Sequence, residues 1–246
     1  RYPEFAAGGQ TAANGTNVGY NKTSVRRFNE HHGSTGNPLP SDAQWKQWRR
    51  DQVTNFVRRL YLGVMAEKPQ VKLSASLIAF GGIANTNDAT WNNAEAYWRV
   101  YQDWRAWTQE GILDLAIPMV YKAEHTATVR PQYDQWDAWL RTHLYDRAGI
   151  LGQGGLLNSI EGTLRQTRRT LTPDTNLSGI IFYSMATSNV AITANPLSIP
   201  PGQNTPARPF SEFAAGVTTG KSVNGLVQYE DPIANPVAVF AQNASI

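Results

Sequence analysis

The stretch Gly111-Ile112-Leu113-Asp114-Leu115-Ala116-Ile117-Pro118-Met119-Val120-Tyr121-Lys122-Ala123-Glu124-His125 decides the fold. A tryptophan-rich helical pattern runs into Gly111, a residue suited to a helix C-terminus, and Leu115–Val120 then carries no polar side chain. An apolar run without alternation reads as a strand buried on both faces, as in a parallel sheet covered by helices. It ends abruptly in Tyr121, Lys122, Glu124 and His125. In α/β folds ligands bind beyond the carboxyl ends of the strands, where loops vary while the sheet holds their roots. Fold and chemistry therefore fall on one segment. The blander alternative has Tyr121 capping the core and the charges merely solvated.

The chain of 246 residues, 41% hydrophobic, suffices for one large domain or two small ones. Its net charge of +3 is spread thinly, with basic residues clustered only as Arg26-Arg27, Arg49-Arg50, Arg58-Arg59 and Arg168-Arg169, so a nucleic-acid partner is not expected. Eight Trp and ten Tyr stand out. Such rings fill cores, and they also make flat platforms for sugars or bases. Without cysteine there is no disulfide framework, thiol nucleophile or thiolate metal site. No apolar run approaches the roughly 18 residues of a transmembrane segment. His31, His32, His125 and His143 lack metal-ligand spacing, and no Gly-x-Gly-x-x-Gly turn or Gly-x-Ser-x-Gly elbow is present, so neither metal nor cofactor is expected.

Outward from the central stretch, polar loops are expected through Tyr20 and over His31–Pro40, followed by the longest helix, about Asp42–Glu67, capped by Ser41 or Asp42. Trp45, Trp48, Phe56, Leu60 and Val64 fall on it at helical spacings. A strand at Val71–Phe80 follows, with Ser74 and Ser76 alternating against Leu73 and Ala75. Next come a helix over Ala94–Glu110, the central strand, a helix over Pro131–Leu144, a strand over Gly149–Ser159 with several glycines where backbone or ligand must approach closely, and a helix to about Leu171 with Arg165, Arg168 and Arg169 on its solvated side. Ser178–Thr187 is the fourth strand. This βα rhythm is that of a TIM barrel or a doubly wound sheet, with the four strands parallel and adjacent in chain order. Residues 190–246 read as an irregular Pro/Gly-rich extension or linker, with a short helix over Phe210–Val217 and short strands at Gly225–Tyr229 and Val237–Ala241.

Several segments in order resemble bacterial glycosyl-hydrolase-family-10-like proteins: Arg1-Tyr2-Pro3, Trp48-Arg49-Arg50-Asp51, Ser76, Asp114 through Pro118 with Tyr121, Gly152-Gln153, and Phe182-Tyr183-Ser184. Met119, Lys122 and Leu156 depart from the residues common there. The resemblance implies a (β/α)8 TIM-type barrel of which residues 1–189 supply the C-terminal half, the first strands and an acidic residue lying upstream of Arg1. It also implies an extracellular or cell-envelope bacterial protein whose partner is a polysaccharide. Four strands close no barrel, so the edges beside strands 71–80 and 178–186 are expected to be covered by the upstream half, by another envelope subunit or by a second copy.

Glycoside hydrolysis requires two carboxyl groups, roughly 5 Å apart for retention and roughly 6.5–9.5 Å for inversion. Glu124 has the best address, with Tyr121 and His125 beside it; its alternative is a salt bridge to Lys122 or an arginine. Glu161 is the second catalytic candidate, and equally a first-turn acid favoured by the helix dipole. Arg1, Tyr2, Glu4, Ser76, Tyr121, Lys122, Asn158 and Tyr183 are expected to bind substrate in one cleft with Glu124. The rival class is a non-catalytic polysaccharide-binding or structural envelope barrel.

Overall fold

The computed structural model describes residues 19–172, 174–183, 213–214 and 217. Arg1, Tyr2, Glu4, the two short C-terminal strands and most of the extension lie outside the described residues, as does the side chain of Glu161.

Four strands form one parallel sheet in the order β1 (Ser74–Ile78), β2 (Leu115–Val120), β3 (Ala148–Gly154), β4 (Gly179–Tyr183). That is the order the βα rhythm predicts. Among the described strands the order never reverses. Right-handed crossovers that always step in the same direction put every connecting helix on the same side, whereas a doubly wound sheet reverses direction and covers both faces.

Alternation and register assign the side chains to the two faces. Ala75, Leu77, Ala116, Val120, Leu151 and Ile180 face the helices, and all six lie in or against the main core with Trp104, Trp107, Tyr133, Trp136, Trp139 and Leu140. Phe182, next on that face, packs on Phe213 at 4.8 Å between ring centroids, beside Ile160 and Leu164. The opposite face carries Ser74, Ser76, Leu115, Ile117, Met119, Tyr121, Ile150, Gly152, Gly154, Ile181 and Tyr183. At the end of β1, Ile78 on this face reaches the main core and Met119 packs against it, whereas Ile117 and Ile150 are buried outside both helix-packed clusters, and Ser74, Ser76, Ile181 and Tyr183 are exposed.

The helical layer rests on tryptophan. Trp91 stacks on Trp139 (5.6 Å, 14°) and meets Trp104 edge-on (4.7 Å, 75°), and all three are essentially inaccessible to solvent. Their rings are core.

Local sequence explains the ends of most elements. In α2 (Ala43–Glu67) the Asp42 carboxylate accepts from the Gln44 and Trp45 amides. Ser159 caps α6 (Ile160–Thr170) through the Gly162 amide, and Arg130–Thr142 forms α5 with Pro131 in its first turn.

Four expectations are corrected. A helix absent from the sequence reading, α1 (Lys22–His32), runs into the loop expected from His31; Asn21 caps it through the Ser24 amide, and Gly33, at φ +63°, closes it in the left-handed conformation. Phe56 and Leu60 do not face the core: Phe56 is 67% exposed, and α2 instead turns Trp45, Arg49, Val53, Val57 and Tyr61, spaced four apart, towards the other elements. The helix expected over Ala94–Glu110 is broken into α3 (Glu95–Trp98) and α4 (Trp104–Glu110). Tyr101 between them is left-handed at φ +59°, which brings its hydroxyl to Arg49 (2.7 Å), while Gln102 accepts from the Ile78 amide at the end of β1. Finally, β3 stops at Gly154 and a 3-10 turn, Gly155–Leu157, follows, because Asn158 pulls the chain aside with its side-chain hydrogen bonds.

Candidate functional site

The carboxyl ends of β1, β2 and β3 meet in a buried polar frame on the helical side. Lys122 follows β2 and, by alternation, points to the helices; its Nζ donates to the Gly81 carbonyl at 2.6 Å, and Trp136 Nε1 donates to the same oxygen at 3.1 Å. That ties the loop after β1 to β2. Asn158 ties β2 to β3: its Oδ1 accepts from the Glu124 amide (2.6 Å) and its Nδ2 donates to the Lys122 carbonyl (2.9 Å), which also accepts from Gln166 Nε2 (3.0 Å). Three loops are thus fixed to one another through side chains that solvent barely reaches. Burial pushes the Lys122 ammonium down to about 8, against a smaller opposing pull from Glu95.

Glu124 belongs to this frame. Arg169 of α6 grips it bidentately, with Nη1 on Oε1 at 2.7 Å and Nη2 on Oε2 at 2.9 Å, and Arg130 adds an ion pair at 3.4 Å. The carboxylate is 5% exposed. Of the two readings open from the sequence, the geometry is that of a salt bridge to an arginine, one that holds the loop after β2 against α5 and α6. Arg169, read from sequence as solvated, also reaches Asp134 at 2.9 Å, and its pairing with Glu124 raises its already high pKa. Nothing in a run of arginines tells which one turns inward, so the sequence could not single it out.

Tyr121 and Tyr183 form a separate group on the opposite face. Their rings stack at 5.5 Å and 21°, although β3 runs between their strands. Gly154, which pairs with Tyr183 in register, makes this possible: a Cβ there would lie 2.9 Å from Tyr121 Cβ and 3.1 Å from Cγ. The glycines of β3 were the sequence signal for a close approach, and here the approaching group is a ring. Burial raises the Tyr121 pKa, with a smaller contribution from Tyr183. Ser76 lies on this same face but in the body of β1, opposite Ile117.

The residues expected to share one cleft therefore divide. Lys122, Glu124 and Asn158 interlock on the helical side, and Tyr121, Tyr183 and Ser76 lie across the sheet from them. Glu161 is the second residue of α6, one turn from the frame. Among the described residues no three His, Asp or Glu side chains gather as a metal site, and no helix is long and apolar enough to cross a membrane.

The sequence model of the glycosyl hydrolase-like 10 family matches residues 11–167. Among curated proteins the chain is similar to the glycosyl hydrolase YngK of Bacillus subtilis (strain 168), 34% identical over 35% of this chain and 20% of the relative. The matched region thus spans about a fifth of the length of that relative.

Proposed function

Given that the chain belongs to the glycosyl hydrolase-like 10 family, we propose that it is the C-terminal half of a (β/α)8 barrel that hydrolyses a polysaccharide of the bacterial cell envelope. The observation that carries this reading is the strictly sequential parallel sheet with its helical core on one face. A sheet of that kind curls naturally into a barrel whose inner wall is the other face. Here that wall bears the serines of β1 and the two tyrosines at the carboxyl ends of β2 and β4, where barrel enzymes keep their substrates. In this reading the upstream half of the same protein supplies the remaining strands, and Arg1, Tyr2 and Glu4 are offered as substrate contacts. Within this reading Glu161 and Glu124 are the carboxylates offered for acid and base roles.

A second reading, a barrel that binds envelope polysaccharide without cleaving it, is favoured by one feature: both oxygens of Glu124 are already engaged by Arg169. Reducing-end release from purified cell-wall polysaccharide, assayed with Glu124→Gln and Glu161→Gln in a chain that includes the upstream half, separates the two. Loss of release in either variant, assayed at a temperature where its thermal melt shows it folded, supports hydrolysis by that carboxylate. Polysaccharide binding without any release by the unmutated protein supports the binding barrel.

A further inference from the structure

The tyrosine pair is assembled with more care than a chance contact on a strand face. Neighbouring strands lie about 4.8 Å apart, so residues on strands separated by a third start nearly 10 Å from one another. Tyr121 and Tyr183 nevertheless bring their ring centroids to 5.5 Å, and the intervening Gly154 has no side chain to keep them apart. Tyr121 is half-buried and lies against the Gly154 backbone; Tyr183 is stacked on it and remains 55% exposed. One ring is thus the footing and the other the surface. Around them, the strand positions on this face are Ser, Ala, Gly, Ile, Leu and Met, with no charged side chain among the described residues of β1 to β4.

We propose that Tyr121, Gly154 and Tyr183 form a stacking subsite for a pyranose whose ring substituents are equatorial, the free face of Tyr183 receiving the C–H face of the sugar. This rests on the carbohydrate reading above and names its substrate class. The reason is stereochemical. An all-equatorial pyranose places its hydroxyls around the rim and only axial C–H groups above and below, so it lies flat on an aromatic ring and keeps its hydroxyls hydrated. On the face that bears it an axial O4 lifts one edge of the sugar, and where it carries the 1,4-linkage it turns the next ring out of the plane, so that the chain does not lie flat. In a β-1,4-linked gluco-configured chain successive rings are also nearly coplanar, which suits a footing fixed by three strands.

Calorimetric titration of a chain that includes the upstream half with cellotetraose and with β-1,4-galactotetraose, whose O4 is axial, tests the assignment. Cellotetraose should bind the more tightly, and Tyr183→Leu, which keeps apolar bulk but removes the flat ring, should weaken it about tenfold, while Tyr183→Phe stays within about twofold of native. Thermal melts of the variants show that they remain folded, and Tyr183→Trp, which keeps a flat face, should retain binding should Leu prove disruptive. Equal affinity for both tetrasaccharides, unmoved by Tyr183→Leu, overturns the stacking subsite and leaves the carbohydrate reading intact. Failure of the unmutated protein to bind either tetrasaccharide overturns the subsite, and reducing-end release from cell-wall polysaccharide then decides the broader reading separately.

Discussion

Tyr121 and Lys122 are neighbours in sequence and work on opposite sides of the sheet. On the helical side, Lys122 enters a frame in which every loop is held by a buried donor and acceptor, backed by stacked tryptophans. On the other side, Tyr121 joins a ring pair that is half in solvent, among serines and small or aliphatic side chains. The helical face spends its polar groups on rigidity; the other face leaves its surface available. A period of two along a strand is enough to give consecutive residues unrelated tasks, and so the expected single cluster resolves into a scaffold and a surface.

The largest blow to the helical face should come from Trp136→Ala. It removes a fully buried ring and the Nε1 bond to Gly81, and should cost about 4 kcal/mol in urea unfolding. Glu124→Gln comes next, at about 3 kcal/mol, because Arg169 loses its bidentate partner while remaining about a third exposed. If the unfolding midpoint of Glu124→Gln matches native, Glu124 is not part of the scaffold and its catalytic role regains weight.

Lys122 adds a pH signature. Its folded pKa, about 8, lies below its ordinary 10.5, so the folded state sheds the proton first. Between those values the unfolded chain binds more protons, and stability gained from this group rises with pH, is complete above about 10.5 and is lost as pH falls through about 8. Relative to Lys122→Met, the native protein should gain up to about 3 kcal/mol across that window. A difference flat from pH 7 to 11 would mean that the ammonium is well solvated.

On the opposite face the effects shrink. Gly154→Ala forces a methyl into Tyr121 and should cost about 2 kcal/mol while separating the ring pair, visible as altered tyrosine ring shifts by NMR. Ser76→Ala, exposed in the body of β1, should change stability by less than about 0.5 kcal/mol. A loss comparable to Trp136→Ala at Ser76 would erase the contrast between the two faces.

Much of the architecture was legible because local signals agree with it. Gly111 ends α4, with φ +82°, where the periodicity stops; Asp42 and Ser159 cap their helices; and Leu115–Val120 is the strand its apolar run announces. The helix α1 also had its signals, Asn21 and Gly33, but they were masked by the polarity of the segment between them. The break at Tyr101 had none, since it is imposed by contacts with Arg49 and the end of β1.

The site divides in the same way. Sequence alone determined which residues stand at the carboxyl ends of the strands, because strand ends follow from composition and chain connectivity. It also flagged the glycines of β3 as a place of close approach. Only the tertiary structure decided that Glu124 meets Arg169, 45 residues away, and that Tyr121 reaches Tyr183 across Gly154. Those choices depend on the register of three strands and on which side of α6 turns inward, and both are set by packing between segments remote in sequence, which no local pattern of residues encodes.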